Sequence, residues 1–232
     1  MILKKWEELP DSLRCPEVRP YYDRLAARRG ALLRKRILDV ILSCLGLVLL
    51  FPLMILLAAL VRLDSSGPAC FRQQRVTRYG EIFRIHKYRT MTVRPDSVPL
   101  TLENDCRVTG IGRFLRRTHL DELGQLLDVL AGHMTLVGTR PEIPAFTEHY
   151  TPEMRATLLL PAGITSRASI LYQHEGAMMS PEHPEEDYLK KLLPEKMKIN
   201  LAEMTEFSIG HDLRILLDTV VSALAGKGEE NT

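Results

Sequence analysis

The chain has 232 residues, enough for one domain of ordinary size with an attached segment. Hydrophobic residues make up 45% and charged residues 26%, which supports a folded core, while a net charge of +2 is too small to point to nucleic acid. Cys15, Cys44, Cys70 and Cys106 show no paired spacing, so they read as free thiols of a reducing compartment and not as a disulfide framework or a zinc site.

Residues 1–33 form an N-terminal segment that mixes Leu, Trp6, Tyr21 and Tyr22 with basic residues. Pro10, Pro16 and Pro20 break it into short pieces, and Pro20 suits the first turn of a helix reaching Leu33. Two readings stand: an amphipathic segment on a membrane surface, or a surface helix packed on its own domain.

Residues 34–63 open on Arg34-Lys35-Arg36 and continue as an apolar run closed by Arg62, with Asp39 its only ionised residue. At 1.5 Å per residue the run can just cross a bilayer core of roughly 30 Å. Pro52 near its middle removes a helix hydrogen bond. Lys and Arg flank both ends, whereas a crossing helix shows a one-sided excess on the cytoplasmic side. Asp39 prefers the interface to the bilayer centre. A bent, re-entrant helix with Pro52 at the bend meets all three conditions. An ordinary single crossing with a proline kink remains open.

Residues 64–226 read as a soluble domain after the turn-rich break Asp64-Ser65-Ser66-Gly67-Pro68. Cys70-Phe71 and the stretch 82–88 predict short strands around Arg78-Tyr79-Gly80, with Lys87 and Arg89 bringing charge to a strand end. Residues 92–105 read as a loop. Residues 109–130 are helical in pattern, divided near Thr118. Thr118 with Asp121 fits the capping-box spacing, so a helix is expected to start near Thr118 and to hold Asp121 and Glu122 in its first turn, where free N–H groups favour anions. Acids at that position are also ordinary helix-start chemistry. Residues 132–141 read as a loop with a short apolar strand, whose glycines let backbone approach a ligand and whose Arg140 can fork onto a phosphate. A short helix is expected at 151–160, an acidic loop at 182–187, helices at 199–207 and 212–224, and a frayed tail at 227–232.

With these residues in view, the chain resembles the small monotopic phosphoglycosyl transferases, a bacterial sugar transferase family that starts lipid-linked glycan assembly. Its motifs recur in order from about Lys35 to the last helix: Lys35-Arg36 with Asp39; Gly67-Pro68, Phe71, Gln73 and Arg75; Lys87-Tyr88-Arg89-Thr90-Met91; Asp105-Cys106-Arg107-Val108-Thr109 with Gly112-Arg113; Leu120-Asp121-Glu122-Leu123-Gly124-Gln125; Val137-Gly138-Thr139-Arg140-Pro141; Gly163-Ile164-Thr165; and Asp212-Leu213-Arg214-Ile215-Leu216. The chain departs from the pattern at Phe51 before Pro52, at Gly124, at His133 and Thr135, at Thr139 and at Gln173.

The resemblance implies an α+β fold, mostly helical: a re-entrant membrane helix hairpin joined to a small cytosolic catalytic domain with surface amphipathic helices. It implies that a nucleotide diphosphate sugar, usually a UDP-sugar, gives its phosphosugar to a polyprenyl phosphate, releasing UMP. Asp121 is the expected nucleophile and Glu122 its partner, the two holding Mg2+. Lys87, Arg89, Arg116, Arg140 and Pro141 are expected to bind substrate. The implied setting is the cytoplasmic face of a bacterial inner membrane, in contact with phospholipid, with a homodimer left open. A single-crossing scaffolding or binding protein is the competing reading. A nucleic-acid binder lacks both a recognisable module and the charge.

Overall fold

The computed structural model of the protein describes residues 2–92, 100, 105–206 and 208–225. The tail at 227–232 and most of the loop at 92–105 lie outside the described residues.

The N-terminal segment folds inward. Helix α1, Arg19–Ala27, carries Pro20 in its first turn, and helix α2, Arg29–Asp64, follows after Arg28. Leu3, Leu9, Leu13, Val18, Leu25 and Leu32 are buried in one cluster with Tyr79, Leu159 and Leu201. Burying those side chains against the domain answers the choice between membrane surface and domain surface in favour of the domain, since each apolar side chain removed from water contributes about 1.5–3 kcal/mol.

Helix α2 has 36 residues, about 54 Å at 1.5 Å per residue, and runs through Pro52 as one element rather than as two helices joined by a turn. It is long and apolar enough to cross a membrane. Its polarity is reversed relative to a soluble helix. Lys35, Asp39 and Ser43 are buried against the domain, whereas Leu33, Ile37, Ile41, Leu45, Val48, Leu49 and Phe51 are exposed. The domain holds α2 near both ends. Lys35 Nζ pairs with Asp212 at 2.5 Å and Thr135 Oγ1 donates to Asp39 at 2.5 Å. Toward the other end Tyr88 donates its hydroxyl to the Met54 carbonyl at 2.8 Å, and Asp64 accepts from the Ile111 N–H at 3.1 Å.

Strands β1, Cys70–Val76, and β2, Ile82–Tyr88, pair antiparallel from Cys70 opposite Tyr88 to Val76 opposite Ile82. Their turn places Tyr79 and Gly80 at positive φ. Helix α3, Gly110–Arg117, is capped by Thr109, whose hydroxyl accepts from the Gly112 N–H at 3.0 Å. Helix α4 spans Gln125–Ala131. Thus Thr118 ends a helix instead of starting one: its hydroxyl donates back to the Phe114 carbonyl at 2.9 Å, and the expected capping box with Asp121 does not form. A threonine at a helix C-terminus reads the same in sequence as one at an N-terminus, and the left-handed His119 that turns the chain has no sequence signal.

Strand β3, Met134–Val137, lies parallel to β4, Ala162–Thr165. Between them sit the short helix α5, Pro144–Thr147, and a 3-10 helix at Met154–Leu159, inside the stretch expected to be a short helix. Helix α6, Arg167–Leu171, is followed by α7, Pro184–Asp187, in the stretch expected to be an acidic loop; Pro184 opens it, and it runs on through a wide turn into α8, Leu193–Glu206. Helix α9, Ile209–Ala225, closes the described chain with Ile209, Leu213, Leu217, Val220 and Val221 exposed along one face.

The β3–β4 pair depends on close backbone approach. A β-carbon at Gly163 would stand 2.1 Å from the Gly138 carbonyl oxygen. Gly163→Ala should therefore force the pair apart and cost at least about 1–3 kcal/mol, the range for overpacking. Urea unfolding in detergent checks this, and an unchanged midpoint would contradict the packing.

Candidate active site

Three segments converge on Asp121 and Glu122. The pair sits in a 3-10 turn, Leu120–Glu122, entered through His119 at φ 54. The left-handed region costs a non-glycine residue about 1–2 kcal/mol, so the surrounding contacts hold it there. The turn buries both carboxylates.

The second segment is the end of β2. Lys87 Nζ lies 2.8 Å from Asp121 Oδ2 and 3.2 Å from Glu122 Oε1. Asp128 on α4 fixes this strand end: it accepts from the His86 backbone N–H at 2.8 Å, with the His86 ring Nδ1 2.7 Å from its other oxygen. Gly124 permits the approach, since a β-carbon there would be 3.0 Å from the His86 carbonyl oxygen.

The third segment follows β3. Gly138 donates its N–H to the Thr165 carbonyl at 2.9 Å, and Gly163 donates to that of Thr139 at 2.8 Å. Arg140 emerges from this crossing and forks onto Glu122, through Nη2 to Oε1 and through Nη1 to Oε2 at 3.1 Å. Burial pushes the Glu122 carboxyl up, but the Arg140 guanidinium and the Lys87 ammonium outweigh it and hold the group far below the usual carboxylate range. The Glu122 charge raises Arg140 in turn.

Asp121 differs from its neighbour. Its Oδ2 is ion-paired with the Lys87 ammonium at 2.8 Å, whereas its buried Oδ1 has no hydrogen-bond partner among the described residues. Buried polar atoms without partners are rare and costly, and they concentrate where chemistry uses them.

These residues floor a cleft of about 590 Å3. Lys87, Arg89, Arg116, Asp121, Glu122, Arg140 and Pro141 all line it, so the structure brings together every substrate and catalytic residue expected from the sequence. Their roles divide. Arg116 donates to Thr90 Oγ1 at 2.8 Å, and burial pulls its pKa down. Arg89 lines the cleft and also reaches the end of α2, where it donates to the Ser65 carbonyl at 2.6 Å and to the Pro68 carbonyl. Those carbonyls follow the C-terminus of α2, where the chain leaves the helix, and a buried guanidinium satisfies them. Pro141 contributes its carbonyl, which accepts from Arg75 at 2.9 Å. Pro52 lies on α2 and does not line the cleft.

The opposite wall holds residues that sequence reasoning did not single out. Tyr188 donates to Glu142, and Lys196 donates to Tyr188 at 3.1 Å and to Glu175 at 2.7 Å. Burial, then the Glu142 charge, raises the Tyr188 pKa. One signal was available: Lys196 and Asn200 fall on the apolar stripe of α8 with Leu193, Met197 and Leu201, where a lysine is out of place unless paired. Among the described residues, no group of three or more His, Cys, Asp or Glu stands ready to hold a metal alone.

Cations gathered around buried carboxylates, beside a helix with an apolar outer face, suit a transferase of phosphorylated groups working at a lipid surface. The chain belongs to the bacterial sugar transferase family, whose model it matches over residues 30–226. It is 39% identical to a UDP-glucose:undecaprenyl-phosphate glucose-1-phosphate transferase of Caulobacter vibrioides, over 83% of this chain and 70% of that protein. It is 35% identical to the transferase of the same description from Escherichia coli, over 90% of this chain but 44% of that relative, so it spans less than half of the longer protein. An exopolysaccharide production protein of Rhizobium leguminosarum is 35% identical over 85% of this chain and 98% of its own length.

The depressed Glu122 sets a direction for acid stability. An unfolded glutamate titrates near 4.3, so the stability from these ion pairs is present above about pH 4 and lost as pH falls toward the lower folded value. Wild type should lose stability steeply between roughly pH 5 and pH 2. Glu122→Gln should be less stable at pH 7 and show a flatter acid limb. Unfolding midpoints measured across this range decide it; parallel acid limbs would rule out Glu122 as the ionised partner.

Proposed function

We propose that the protein transfers a phosphosugar from a nucleotide diphosphate sugar, a UDP-sugar by preference, to a polyprenyl phosphate, yielding polyprenyl diphosphate sugar and UMP. The names of the Caulobacter and Escherichia relatives support the substrate classes. The observation that carries the reading is Asp121: a buried carboxylate with Oδ2 2.8 Å from the Lys87 ammonium and, among the described residues, no hydrogen bond on Oδ1. A scaffolding module has no use for such a group.

Asp121 attacks the phosphorus next to the sugar. A P–O bond to that phosphorus forms, the diphosphate bridge breaks, and UMP departs with the bonding electrons. The acceptor phosphate oxygen then attacks the same phosphorus and the Asp121 carboxylate leaves. A carboxylate nucleophile thereby divides one displacement into two steps. Glu122, locked by Arg140 and Lys87, fixes the turn that aims Asp121. Lys87, Arg116 and Arg140 place positive charge where oxygens gain negative charge.

The donor set fits Mg2+. The cation takes oxygen ligands, commonly one or two carboxylates plus substrate phosphates, and Asp121 offers Oδ1 without a hydrogen bond among the described residues and Oδ2 held by Lys87, with Glu122 adjacent. When bound there, Mg2+ supplies charge neutralisation for the diphosphate.

The membrane setting proposed is monotopic: α2, one helix with Pro52 inside it, lies with its apolar face in the bilayer and keeps both ends on the cytoplasmic face of a bacterial inner membrane. The reversed polarity of α2 supports its burial in lipid. Its attachment to one domain through both Asp39 and Asp64 supports placing both ends on one side, because a straight crossing would separate them by the bilayer. The exposed apolar face of α9 supports further contact with the membrane surface.

Asp121→Asn should fold and bind membrane but form no covalent adduct with a radiolabelled UDP-sugar, while wild type labels; excess EDTA should abolish wild-type labelling. Substantial activity in the variant would remove Asp121 as nucleophile, and full activity in EDTA would remove the metal. For topology, single cysteines near residues 5 and 228, in a background lacking the native four, should both escape a membrane-impermeant maleimide in intact cells. Labelling of the N-terminal cysteine alone would establish a single crossing.

A further inference from the structure

The catalytic cleft adjoins a second cleft of about 230 Å3. His119, Glu122, Arg140, Gln173, Glu175 and Lys196 line both. Beyond that shared rim the lining changes character. Leu123 and Leu126 near and on α4, Ile164 on β4 and Ile170 on α6 form apolar walls, and Thr219 and Ser222 of α9 complete one side. Both ends of this wall touch elements with exposed apolar faces. Leu126 packs on α2, where a β-carbon at Gly46 would stand 3.2 Å from Leu126 Cδ1. On α9, Val220 and Val221, the residues between Thr219 and Ser222, are exposed. The slot therefore runs from Glu122, next to Asp121, to α9 and to Leu126, which packs on α2.

We propose that this second cleft takes the first isoprene units of the polyprenyl phosphate acceptor, with its phosphate meeting Arg140 at the shared rim. The assignment rests on the transferase reading above. Displacement chemistry requires such an arrangement. In-line attack places nucleophile and leaving group on opposite sides of phosphorus. Asp121 attacks from one side, so UMP leaves from the other. In the second step the acceptor oxygen forms its bond where UMP left, and the P–O bond to Asp121 breaks on the far side. Donor and acceptor must therefore bring a phosphate to one position while their remaining parts differ completely, a polar nucleoside against an apolar chain. A charged cleft and an apolar one that meet at Arg140 and Glu122 fulfil both demands. The carbon chain gains by leaving water along Leu126, Ile164 and Ile170, and the guanidinium complements the phosphate.

Two variants narrow the apolar slot without touching the reacting groups: Ser222→Trp at its α9 side and Ile170→Trp at its wall. The donor half-reaction is read as exchange of radiolabelled UMP into whichever of UDP-glucose, UDP-galactose or UDP-N-acetylgalactosamine labels wild type. The full reaction is read with undecaprenyl phosphate in detergent. Exchange should stay within about twofold of wild type, which also certifies folding, while KM for undecaprenyl phosphate should rise by at least about tenfold. An unchanged acceptor KM in both variants would overturn the proposal and is the result expected if a bulk phospholipid chain fills the slot. Loss of exchange together with transfer, in variants whose thermal midpoints match wild type, would also overturn it by assigning the slot to the donor. No exchange in wild type would strike the transferase reading itself, a distinguishable failure.

Discussion

The burial of Glu122 is the constraint on which the rest depends. A carboxylate taken out of water without partners costs several kcal/mol, so it persists only when cations are brought to it. Lys87 comes from the end of β2 and Arg140 from the crossing after β3. Neither is close in sequence to Glu122, and both are held by backbone contacts of their own: Asp128 on His86, and Gly138 and Gly163 on the β3–β4 pair. The ion pairs thus tie a hairpin, a turn and a parallel strand pair into one rigid floor. Asp121 rides on that floor and is left with an ammonium for company and, among the described residues, no hydrogen bond on Oδ1. Its neighbour supplies the rigidity, and Asp121 is held by Lys87 alone through Oδ2.

The same rule about buried charge shapes α2. Lys35 and Asp39 would be costly in lipid, and the structure turns both toward the domain, onto Asp212 and Thr135. What remains outside is a stripe of leucine, isoleucine, valine and phenylalanine. Arg89 finishes the arrangement by satisfying carbonyls at the far end of the helix. A residue whose motif context suggested substrate binding therefore serves the membrane element, and it does so one residue beyond the strand that carries Lys87 into the cleft.

Much of this was legible in the residues. The strand at 82–88 follows from period-two alternation and the one inside 132–141 from a short apolar run, and both form with Lys87 and Arg140 at or beyond their ends. The ordered motifs gathered residues that line one cleft. Other features were not legible. Thr118 fits either end of a helix, and only the packing of α3 against α2 and the left-handed His119 decide which. The stretch 182–187 looked like a loop because its acids lack periodicity, yet Pro184 begins a helix that α8 continues. The N-terminal segment satisfied two readings because an amphipathic face suits a membrane or a protein equally well.

The sequence by itself determined the local terms: a long apolar run with a proline in it, short strands, a carboxylate pair preceded by arginines, and free thiols. These depend on composition and on spacings of a few residues, where backbone geometry dictates which side chains share a face. The tertiary structure alone decided how those terms combine. It set Lys87 and Arg140 on Glu122, left Asp121 with Lys87 beside it, tied the Arg89 guanidinium to carbonyls just past the end of α2, and brought Lys196, Tyr188 and Glu142 to the same cleft. Those outcomes rest on contacts between segments far apart in the chain, and their energies come from burial and from pairing of charge, neither of which exists until the chain has closed around them.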